Sequence, residues 1–430
     1  MAMLRLLKQI PLLLASLALA VPAATAAPGP ADVEAMRTYV ARNRAYSPPS
    51  RAEAMRRLEL LPGLIGTPVR FELEAAHIAA LADNGHSVLL PPQWPSRYRR
   101  SPVHLGLFAD GLFVISAPAD RRALIGRRVL RINGHDWREI RAAWARYQGG
   151  LPGFRDQFVT LFMELPALLH AAGFGSDPDR LALTLAAPGQ PEALTVQAAL
   201  TPYRDVAAFT GESALIDGAR MLPPASIPLY LQDPEPLFRR AFPAELDGAY
   251  VQLNAIRGLG IQQFFEGTLA ELRRRRPHNI VVDLRFNMGG DLNIAREFMR
   301  ALPGLARDHV YAITSGRTFS AAISSLGYLK QAAGDRLTIV GEPIGDRLQF
   351  WAEGDIMTLP GLGAMILYAS ERHNYMTGCP EADCHAAIRE HPIRVRSLQP
   401  DIPTPLRWAD FHAGRDPAMA AILSDIARRR

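Results

Sequence analysis

The stretch IVVDLRFNMGGD, at residues 280–291, joins a run of apolar residues to two glycines that stand directly before a helical pattern. The run IVV at its start favours a buried strand, because β-branched side chains pack well on a pleated surface. The residues that follow, DLNIAREFMRAL, place apolar side chains at helical spacing. Strands and helices alternate in this way from about residue 246, so the sequence predicts a layered α/β domain over 246–430.

A second stretch, ITSGRTFSAAIS at residues 313–324, concentrates hydroxyl side chains where a strand should turn into a helix. Ser320 is expected at or beside the N-terminus of that helix. There it can act as a nucleophile with the N–H of Ala321 as an oxyanion donor, or it can simply cap the helix. Gly289 and Gly290 would let backbone N–H groups face the same anion, although an ordinary strand–helix turn uses glycines too.

Three motifs together, IVVDLRFNMGGD, ITSGRTFSAAIS and TIVGEPIGD, resemble in order and spacing the tail-specific, C-terminal-processing serine peptidases, a group that includes the tricorn core protease. The resemblance covers residues 246–430 and implies a crotonase-like α/β domain. It also implies that Ser320 is the nucleophile, and that the glycine turn and Ala321 hold the oxyanion. Chemistry of this kind requires no metal and no organic cofactor.

Lysine is the base in the best-known branch of this family, directly after the GE…G motif, but this sequence has Asp346 at that position. Lys330 is the only lysine after residue 26. It follows Ser320 on the same predicted helix, about 15 Å along the helix axis, and a lysine side chain cannot span that distance. The sequence therefore excludes a Ser/Lys dyad.

The tricorn-like branch instead uses a histidine from the N-terminal region, and the motif DNGH offers His86. Asn84 and Gly85 tolerate the left-handed conformation that ends helices. The carbonyl ends of the preceding helix are then expected to favour protonated His86. An ordinary turn residue is the alternative for His86. Other histidines also stay open as the base, among them His77, His104, His278, His309 and His385.

An acid near the C-terminal end that orients the histidine is implied by the same resemblance, but the segment REHPIRVRSLQPDIPT has arginines where a glutamate is expected before PD. Glu342 is preferred because it directly follows a buried strand near the expected site. The other carboxylates that stay open for this role are Asp346, Glu371, Glu381 and Asp401.

The rest of the chain divides into three further regions, which makes the predicted fold class multidomain α/β. Residues 27–100 form an N-terminal helical region that carries His86. Residues 101–200 change to short strands, and LIGRRVLRINGHDWREI resembles the strand–turn–helix signature of a PDZ-like module, which adds a peptide strand to a sheet edge. Residues 201–245 are expected to connect this β-rich module to the catalytic domain.

Residues 1–26 have the pattern of a cleaved signal peptide. Arg5 and Lys8 precede the apolar run IPLLLASLALAV, and small residues follow it, so cleavage after Ala26 is expected. The run is shorter than the roughly 20 apolar residues that a membrane-spanning helix needs. The sequence therefore predicts a periplasmic or secreted protein without stable membrane insertion.

The charge of the chain does not indicate a nucleic-acid partner. Without Arg5 and Lys8 the formal net charge falls from +6 to +4. The only dense basic run, ELRRRRPHN at residues 271–279, lies where a helix should end, and arginines there complement the helix dipole.

The two cysteines, Cys379 and Cys384, lie close together in a chain expected to enter an oxidising compartment. A local disulfide is the preferred state. A metal site with Asp383 and His385 is the alternative, but the sequence offers no second ligand pair at zinc-type spacing.

These expectations combine into a periplasmic or secreted serine endopeptidase that cleaves polypeptides, with Ser320 as nucleophile and His86 as base. Two alternatives use the same fold: a catalytically inactive protein that binds a ligand or peptide, and an esterase that uses the same residues.

Overall fold

The computed structural model of the chain describes residues 27–90, 94–186, 191–199, 226–232 and 237–430. The expected signal peptide lies outside the described residues, as does most of the expected connecting segment. The described residues form a mixed α/β structure with several sheets, as the sequence predicted.

The helices of the described residues, α1 to α13, are Pro30–Arg42, Pro48–Leu58, Pro68–Ala80, Trp94–Arg97, Trp137–Trp144, Pro152–Met163, Pro166–Ala171, Ile261–Arg275, Leu292–Ala301, Ala321–Ala333, Ala386–Glu390, Trp408–His412 and Pro417–Arg429. The strands, β1 to β17, are Val88–Leu89, His104–Phe108, Gly111–Ser116, Val129–Ile132, His135–Asp136, Arg180–Leu185, Glu192–Gln197, Phe238–Ala241, Gly248–Leu253, Asn279–Asp283, His309–Thr314, Leu337–Gly341, Gln349–Ala352, Ile356–Leu359, Ala364–Leu367, Glu371–Asn374 and Ile402–Pro403.

Six strands form the largest sheet, in the order β17-β12-β11-β10-β9-β8. Neighbouring strands pair in parallel except for β8, which runs antiparallel to β9. Side chains alternate between its two faces: Val251 and Val282 pack in one core with α8, α9 and α10, whereas Tyr250 and Val281 pack with α13. The sheet is therefore covered by helices on both faces, which is the layered arrangement predicted for residues 246–430.

A second core joins the N-terminal helices to the rest of the molecule. It contains residues of α1 to α3, of the four-stranded antiparallel sheet β5-β4-β6-β7, of α5 to α7, and of strands β14 and β15. Asp32 fastens α1 to the turn between β14 and β15, because its Oδ1 accepts the N–H groups of Gly361 at 3.0 Å and Leu362 at 3.1 Å. The N-terminal region therefore packs against the C-terminal half. None of the helices in the described ranges is long and apolar enough to span a bilayer.

The segment that carries His86 is attached to the C-terminal half by a strand. Directly after it, β1 pairs antiparallel with β15, with Val88 opposite Leu367. Asn84 Nδ2 donates to the carbonyl of Trp351 at 3.0 Å, and Arg347 donates to Asp83 Oδ2 at 2.6 Å. These contacts fix His86 beside strand β13 although more than 260 residues separate the two in the chain.

The local reason that the chain turns here differs from the prediction. Helix α3 ends at Ala80, and the residue in the left-handed conformation is Asp83, with φ 45°, rather than Asn84 or Gly85. Gly85 is required for another reason, since a Cβ atom there would lie 2.6 Å from the Phe319 ring. The glycine therefore allows the two segments of the candidate site to approach each other.

Candidate active site

The loops that follow β10, β11 and β12 meet at one edge of the six-stranded sheet. These strands end at Asp283, Thr314 and Gly341. Because carboxyl ends of parallel strands share an edge, the glycine turn, the serine turn and the GEPIGD loop come together there. Contacts between the loops are direct, since Gly345 N donates to the carbonyl of Thr318 at 2.9 Å.

Ser320 stands at the N-terminus of α10 in a strained backbone conformation. Its φ of 55° and ψ of −126° lie outside the regions that residues with a side chain commonly adopt. The hydroxyl makes no capping hydrogen bond to the helix. The side chain therefore does not cap the helix, and its oxygen makes no hydrogen bond to the part of the chain that the structure describes.

The neighbouring hydroxyls hold that turn. Thr318 Oγ1 donates to the carbonyl of Leu284 at 2.9 Å and accepts the N–H of Ser315 at 3.0 Å. Ser315 Oγ donates to the carbonyl of Arg285 at 2.5 Å. These bonds tie the serine turn to the segment after β10, so the two loops hold a fixed geometry relative to each other.

Gly289 lies directly against the serine. A Cβ atom on this glycine would be 2.6 Å from the Cβ of Ser320 and 3.0 Å from the N of Ala321, and its φ is +104°. Its own N–H donates to Asn287 Oδ1 at 2.9 Å. Gly289 therefore provides the space for the serine, while its N–H group is engaged within the turn.

Gly290 and Ala321 keep their N–H groups available. Neither makes a hydrogen bond within the described residues, since the bridge between Ile256 and Gly290 uses the Gly289 carbonyl and the Asp291 N–H. Ala321 is the first residue of α10, where an N–H group has no partner within the helix. Ala321 follows Ser320 directly, and Gly290 follows the glycine that packs against Ser320, so both N–H groups are candidate donors to an oxyanion.

Asn287 organises the glycine turn and was not found by sequence reasoning. Its carbonyl accepts the N–H of Phe319 at 3.0 Å, its Oδ1 accepts the N–H of Gly289, and its Nδ2 donates to the carbonyl of Leu253 at 2.9 Å. The side chain is fully buried. An asparagine two residues before a glycine pair is typical of a side-chain-stabilised turn, and this pattern could have indicated its role.

His86 is buried between two aromatic rings. Its ring stacks on Phe319 with 4.3 Å between centroids, and on Phe350 with 5.5 Å. Phe319 directly precedes Ser320, so the structure brings the predicted base against the residue next to the predicted nucleophile. Neither ring nitrogen of His86 has a hydrogen-bond partner within the described residues.

Asp346 is the carboxylate that faces His86. Its Oδ2 lies 4.0 Å from His86 Nδ1, and within the described residues that oxygen has no hydrogen-bond partner. The other oxygen, Oδ1, accepts the N–H of Arg347 at 2.8 Å. Asp346 occupies the position at which the lysine of the other branch is expected, so the structure places an acid beside a histidine there.

Burial dominates the protonation of this pair. It raises the pKa of Asp346 to about 7 and lowers the pKa of His86 to about 3, because a charged form of either group loses its hydration. The expectation that a helix end would favour protonated His86 is wrong, since removal of the ring from water outweighs that effect. Between about pH 3 and pH 7 both groups are therefore neutral, and above about pH 7 Asp346 is ionised beside a neutral His86.

Glu342, the preferred acid of the sequence analysis, has different contacts. Its Oε1 accepts the N–H of Leu406 at 3.2 Å, and its carbonyl accepts Thr314 Oγ1 at 2.7 Å. Burial raises the pKa of its carboxyl group. Among the described residues, the carboxylate within 4.0 Å of a His86 ring nitrogen is that of Asp346 and not of Glu342. The negative charge of Glu353 also raises the pKa of His86, against the larger effect of burial.

The remaining acids considered for this role contact other groups. Glu371 contacts His385 at 2.6 Å, and Asp401 accepts the N–H of Ile339 at 2.8 Å. Glu381 Oε2 lies 3.3 Å from Cys384 Sγ, far from His86 in the chain and without an ion pair to it among the described residues.

A column of stacked rings extends from His86 away from the serine. Phe350 stacks on His373 with 4.9 Å between centroids, and His373 stacks on His385 with 5.6 Å. Glu353 Oε1 lies 3.3 Å from His373 Nε2, and the pKa of Glu353 is lowered to about 2, against the effect of burial, chiefly by His373. These residues lie on β13, β16 and the adjoining loops, and of the stacked residues only His385 was considered for the site from the sequence.

Cys379 and Cys384 form a disulfide in the structure, with 5.8 Å between their Cα atoms. Both sulfurs are joined to each other, so the thiolates that a metal site would need are not available.

Lys330 lies near the end of α10, where its Nζ donates to the carbonyl of Leu337 at 3.3 Å.

The fold and the site together define an α/β protein with a strained serine at a helix N-terminus, two backbone donors beside it and a buried histidine–aspartate pair. The solved structure of mature CPAF, a tail-specific protease, has a similar fold, with a TM-score of 0.57 and 12% identity over 92% of this chain and 96% of that chain. CPAF complexed with lactacystin gives a TM-score of 0.57 and 11% identity over 92% and 97% of the two chains.

A weaker likeness links the chain to the photosystem II D1 C-terminal processing protease, with a TM-score of 0.36 and 13% identity over 87% of this chain and 92% of that chain. No protein-family model matches the sequence, and no curated protein matches it. The structural neighbours belong to the C-terminal-processing serine peptidases that the motifs resemble. At the level of the fold, the resemblance is confirmed.

Proposed function

We propose that this chain is a serine-type endopeptidase in which Ser320 is the nucleophile, His86 the base and Asp346 the acid beside the histidine. The observation that carries the proposal is the backbone of Ser320, which is strained and packs closely against Gly289. Its side chain does not cap the helix, and the N–H of the next residue, Ala321, is available as a donor. Strain of this kind persists only where the surrounding structure holds it, and it clusters at functional sites.

The first step is attack of Ser320 Oγ on the carbonyl carbon of a peptide bond. The N–H groups of Gly290 and Ala321 stabilise the negative charge that develops on the carbonyl oxygen, and such donors are most effective in a site that excludes water. His86 takes the hydroxyl proton and passes it to the leaving amine. Water then hydrolyses the acyl-enzyme by the same proton route in reverse.

Asp346 compensates for the low proton affinity of His86. A histidine whose pKa is about 3 is a weak base, because burial opposes its charged form. When His86 becomes an imidazolium, an ionised Asp346 at 4.0 Å would stabilise that charge. Catalytic hydrogen bonds are often long before substrate binds, so the pair is expected to shorten in the complex.

The proposal also includes the domain boundaries and the localisation that were expected from the sequence. Residues 246–430 would be the crotonase-like catalytic domain, and residues 101–200 a PDZ-like module that presents a polypeptide chain to it. The protein would act in the periplasm or outside the cell after cleavage behind Ala26. Likeness of fold to CPAF and the TFSAA and GG motifs support this assignment.

The test uses the chain from residue 27 onward, incubated with an unfolded protein whose fragments are read by mass spectrometry. Ser320→Ala and His86→Ala are each expected to abolish cleavage. Ser424→Ala and His170→Ala are matched controls, since both side chains lie at the surface and neither contacts the site. Cleavage that survives Ser320→Ala would reject the nucleophile.

Two other results would redirect the assignment. Hydrolysis of p-nitrophenyl esters without cleavage of any peptide bond would indicate the esterase alternative. Folded parent protein that hydrolyses neither substrate would indicate the inactive binding protein.

A further inference from the structure

Leu259 is an apolar side chain that lies wholly in solvent. Its relative exposure is 102%, whereas the other exposed large hydrophobic side chains of the described residues range from 36% for Leu237 to 60% for Met376. Full exposure of a leucine contributes nothing to the core, so folding alone does not account for the residue. Single exposed apolar residues are common on protein surfaces, so exposure alone does not indicate a function. The location of Leu259 relative to the candidate site is what suggests one.

The loop that carries Leu259 is fastened to the oxyanion turn. Ile256 N donates to the carbonyl of Gly289 at 2.9 Å, and the carbonyl of Ile256 accepts the N–H of Asp291 at 3.0 Å. Leu259 follows three residues later, so its Cα lies within about 11 Å of Ile256. The loop also follows β9, and it therefore lies at the same sheet edge as Ser320.

The two residues that flank Leu259 are glycines, and their backbone conformations set the path of the loop. Gly258 and Gly260 both have left-handed φ values, +104° and +83°, a conformation that glycine adopts without strain. A Cβ atom on Gly258 would lie 3.2 Å from Leu237 Cδ1, so the half-exposed Leu237 lies beside the base of the loop. Leu237 is held there because its carbonyl accepts the N–H of Asn254 at 2.7 Å.

We infer that Leu237 and Leu259, together called the apolar rim, contact the substrate side chain next to the scissile bond and select polypeptides with an aliphatic or aromatic residue there. The loop is bonded to Gly289 and Asp291, on either side of the Gly290 N–H that would bind the scissile carbonyl oxygen, so it adjoins the turn where the substrate would lie. Burial of the rim against such a side chain removes apolar surface from water on both partners. The inference rests on the proposed peptidase function and adds the substrate class.

The test compares Leu259→Ser with Leu60→Ser, a leucine that is 54% exposed in the N-terminal helical region. Quenched fluorescent peptides that differ only at the two residues flanking the scissile bond carry Leu, Phe, Ser or Asp. The parent is expected to cleave the Leu and Phe peptides with a kcat/KM at least about ten-fold above that of the Ser peptide, as is typical for an apolar subsite. Leu259→Ser is expected to reduce this ratio to about one, with the Ser peptide cleaved as before, and Leu60→Ser is expected to keep it.

A ratio that is unchanged in Leu259→Ser, while the parent cleaves, would overturn the inference and leave the proposed function intact. A parent without any preference for apolar residues would overturn it as well. A folded parent that cleaves none of the peptides and no unfolded protein would remove the proposed function, and the inference would fall with it. Retention of the preference in Leu259→Met would support an apolar contact, because methionine conserves the apolar volume.

Discussion

Asp346 Oδ2 lies 4.0 Å from His86 Nδ1, at the position in the chain where a lysine base would be expected in the other branch of similar peptidases. Both groups are buried, and both lack another hydrogen-bond partner at the facing atoms within the described residues. The 4.0 Å contact places the Asp346 carboxyl where it can orient the imidazole of His86 and stabilise its charged form. In this chain the position after the GE…G motif therefore holds an acid that faces a histidine of the N-terminal region.

Asp346→Asn is expected to lower kcat by at least about 100-fold, because an amide cannot stabilise the imidazolium of His86. The volume of the side chain is retained, so the fold should persist. The measurement is kcat and KM on a peptide that the parent cleaves, with the thermal midpoint of unfolding recorded for each protein.

Glu342→Gln is the matched control for that substitution, because Glu342 is also largely covered and its carboxylate accepts the N–H of Leu406. It is expected to change kcat less than about three-fold. A larger loss in Glu342→Gln than in Asp346→Asn would reverse the assignment of the acid.

Asp346 is expected to make folding less favourable as the pH rises from about 4 to about 7. The lowered pKa of His86 acts in the opposite direction over much of the same interval, so the Asp346 contribution is read from a variant that lacks its titration. Burial raises the pKa of Asp346 from the ordinary 3.8 to about 7. The folded chain therefore holds a proton that the unfolded chain has released over this interval, and folding loses that contribution as the pH passes the folded pKa. The difference amounts to at most about 4 kcal/mol.

Urea unfolding of the parent and of Asp346→Asn at several pH values measures this effect. The amide does not titrate, so the stability of Asp346→Asn relative to the parent should increase between pH 4 and pH 7. A constant difference across that interval would show that Asp346 is not the buried acid responsible.

Gly289→Ala is expected to abolish activity and to destabilise the protein by about 1–3 kcal/mol. The new Cβ would lie 2.6 Å from the Cβ of Ser320, at a φ of +104° that disfavours a side chain. Gly304→Ala is the control, because a Cβ atom added there would meet nothing within 4 Å and the φ of this glycine is not positive. Full activity in Gly289→Ala would contradict the close contact between the glycine turn and the serine.

The sequence predicted the parts of the site that depend on local pattern. Ser320 and the glycine turn follow from strand–turn–helix units whose residues are neighbours in the chain, so their positions at the sheet edge could be inferred directly. The same applies to the alternating strands and helices after residue 246. Gly85 was recognised as special, but its role is to admit the Phe319 ring and not to end a helix.

Contacts between distant segments could not be predicted in this way. His86 and Asp346 are joined because β1 pairs with β15, a pairing across more than 270 residues that no local pattern marks. The proton affinity of His86 depends on how completely Phe319 and Phe350 cover its ring, and burial is a property of the assembled fold. For the same reason, no feature of the sequence favoured Asp346 over Glu342 as the acid.

Phe350→Leu is expected to lower kcat about ten-fold with little change in KM, because the ring that stacks on His86 is lost and water reaches the imidazole. Since burial is the main cause that lowers the pKa of His86 to about 3, this pKa should rise toward 6.5 in the variant. Histidine titration by NMR, with His86→Ala used to assign the signal, measures the shift. Phe264→Leu removes a half-buried ring of α8 that does not touch His86 and serves as the control. If both variants lose activity equally and the His86 titration stays in place, the stacked rings contribute to packing alone and do not tune the base.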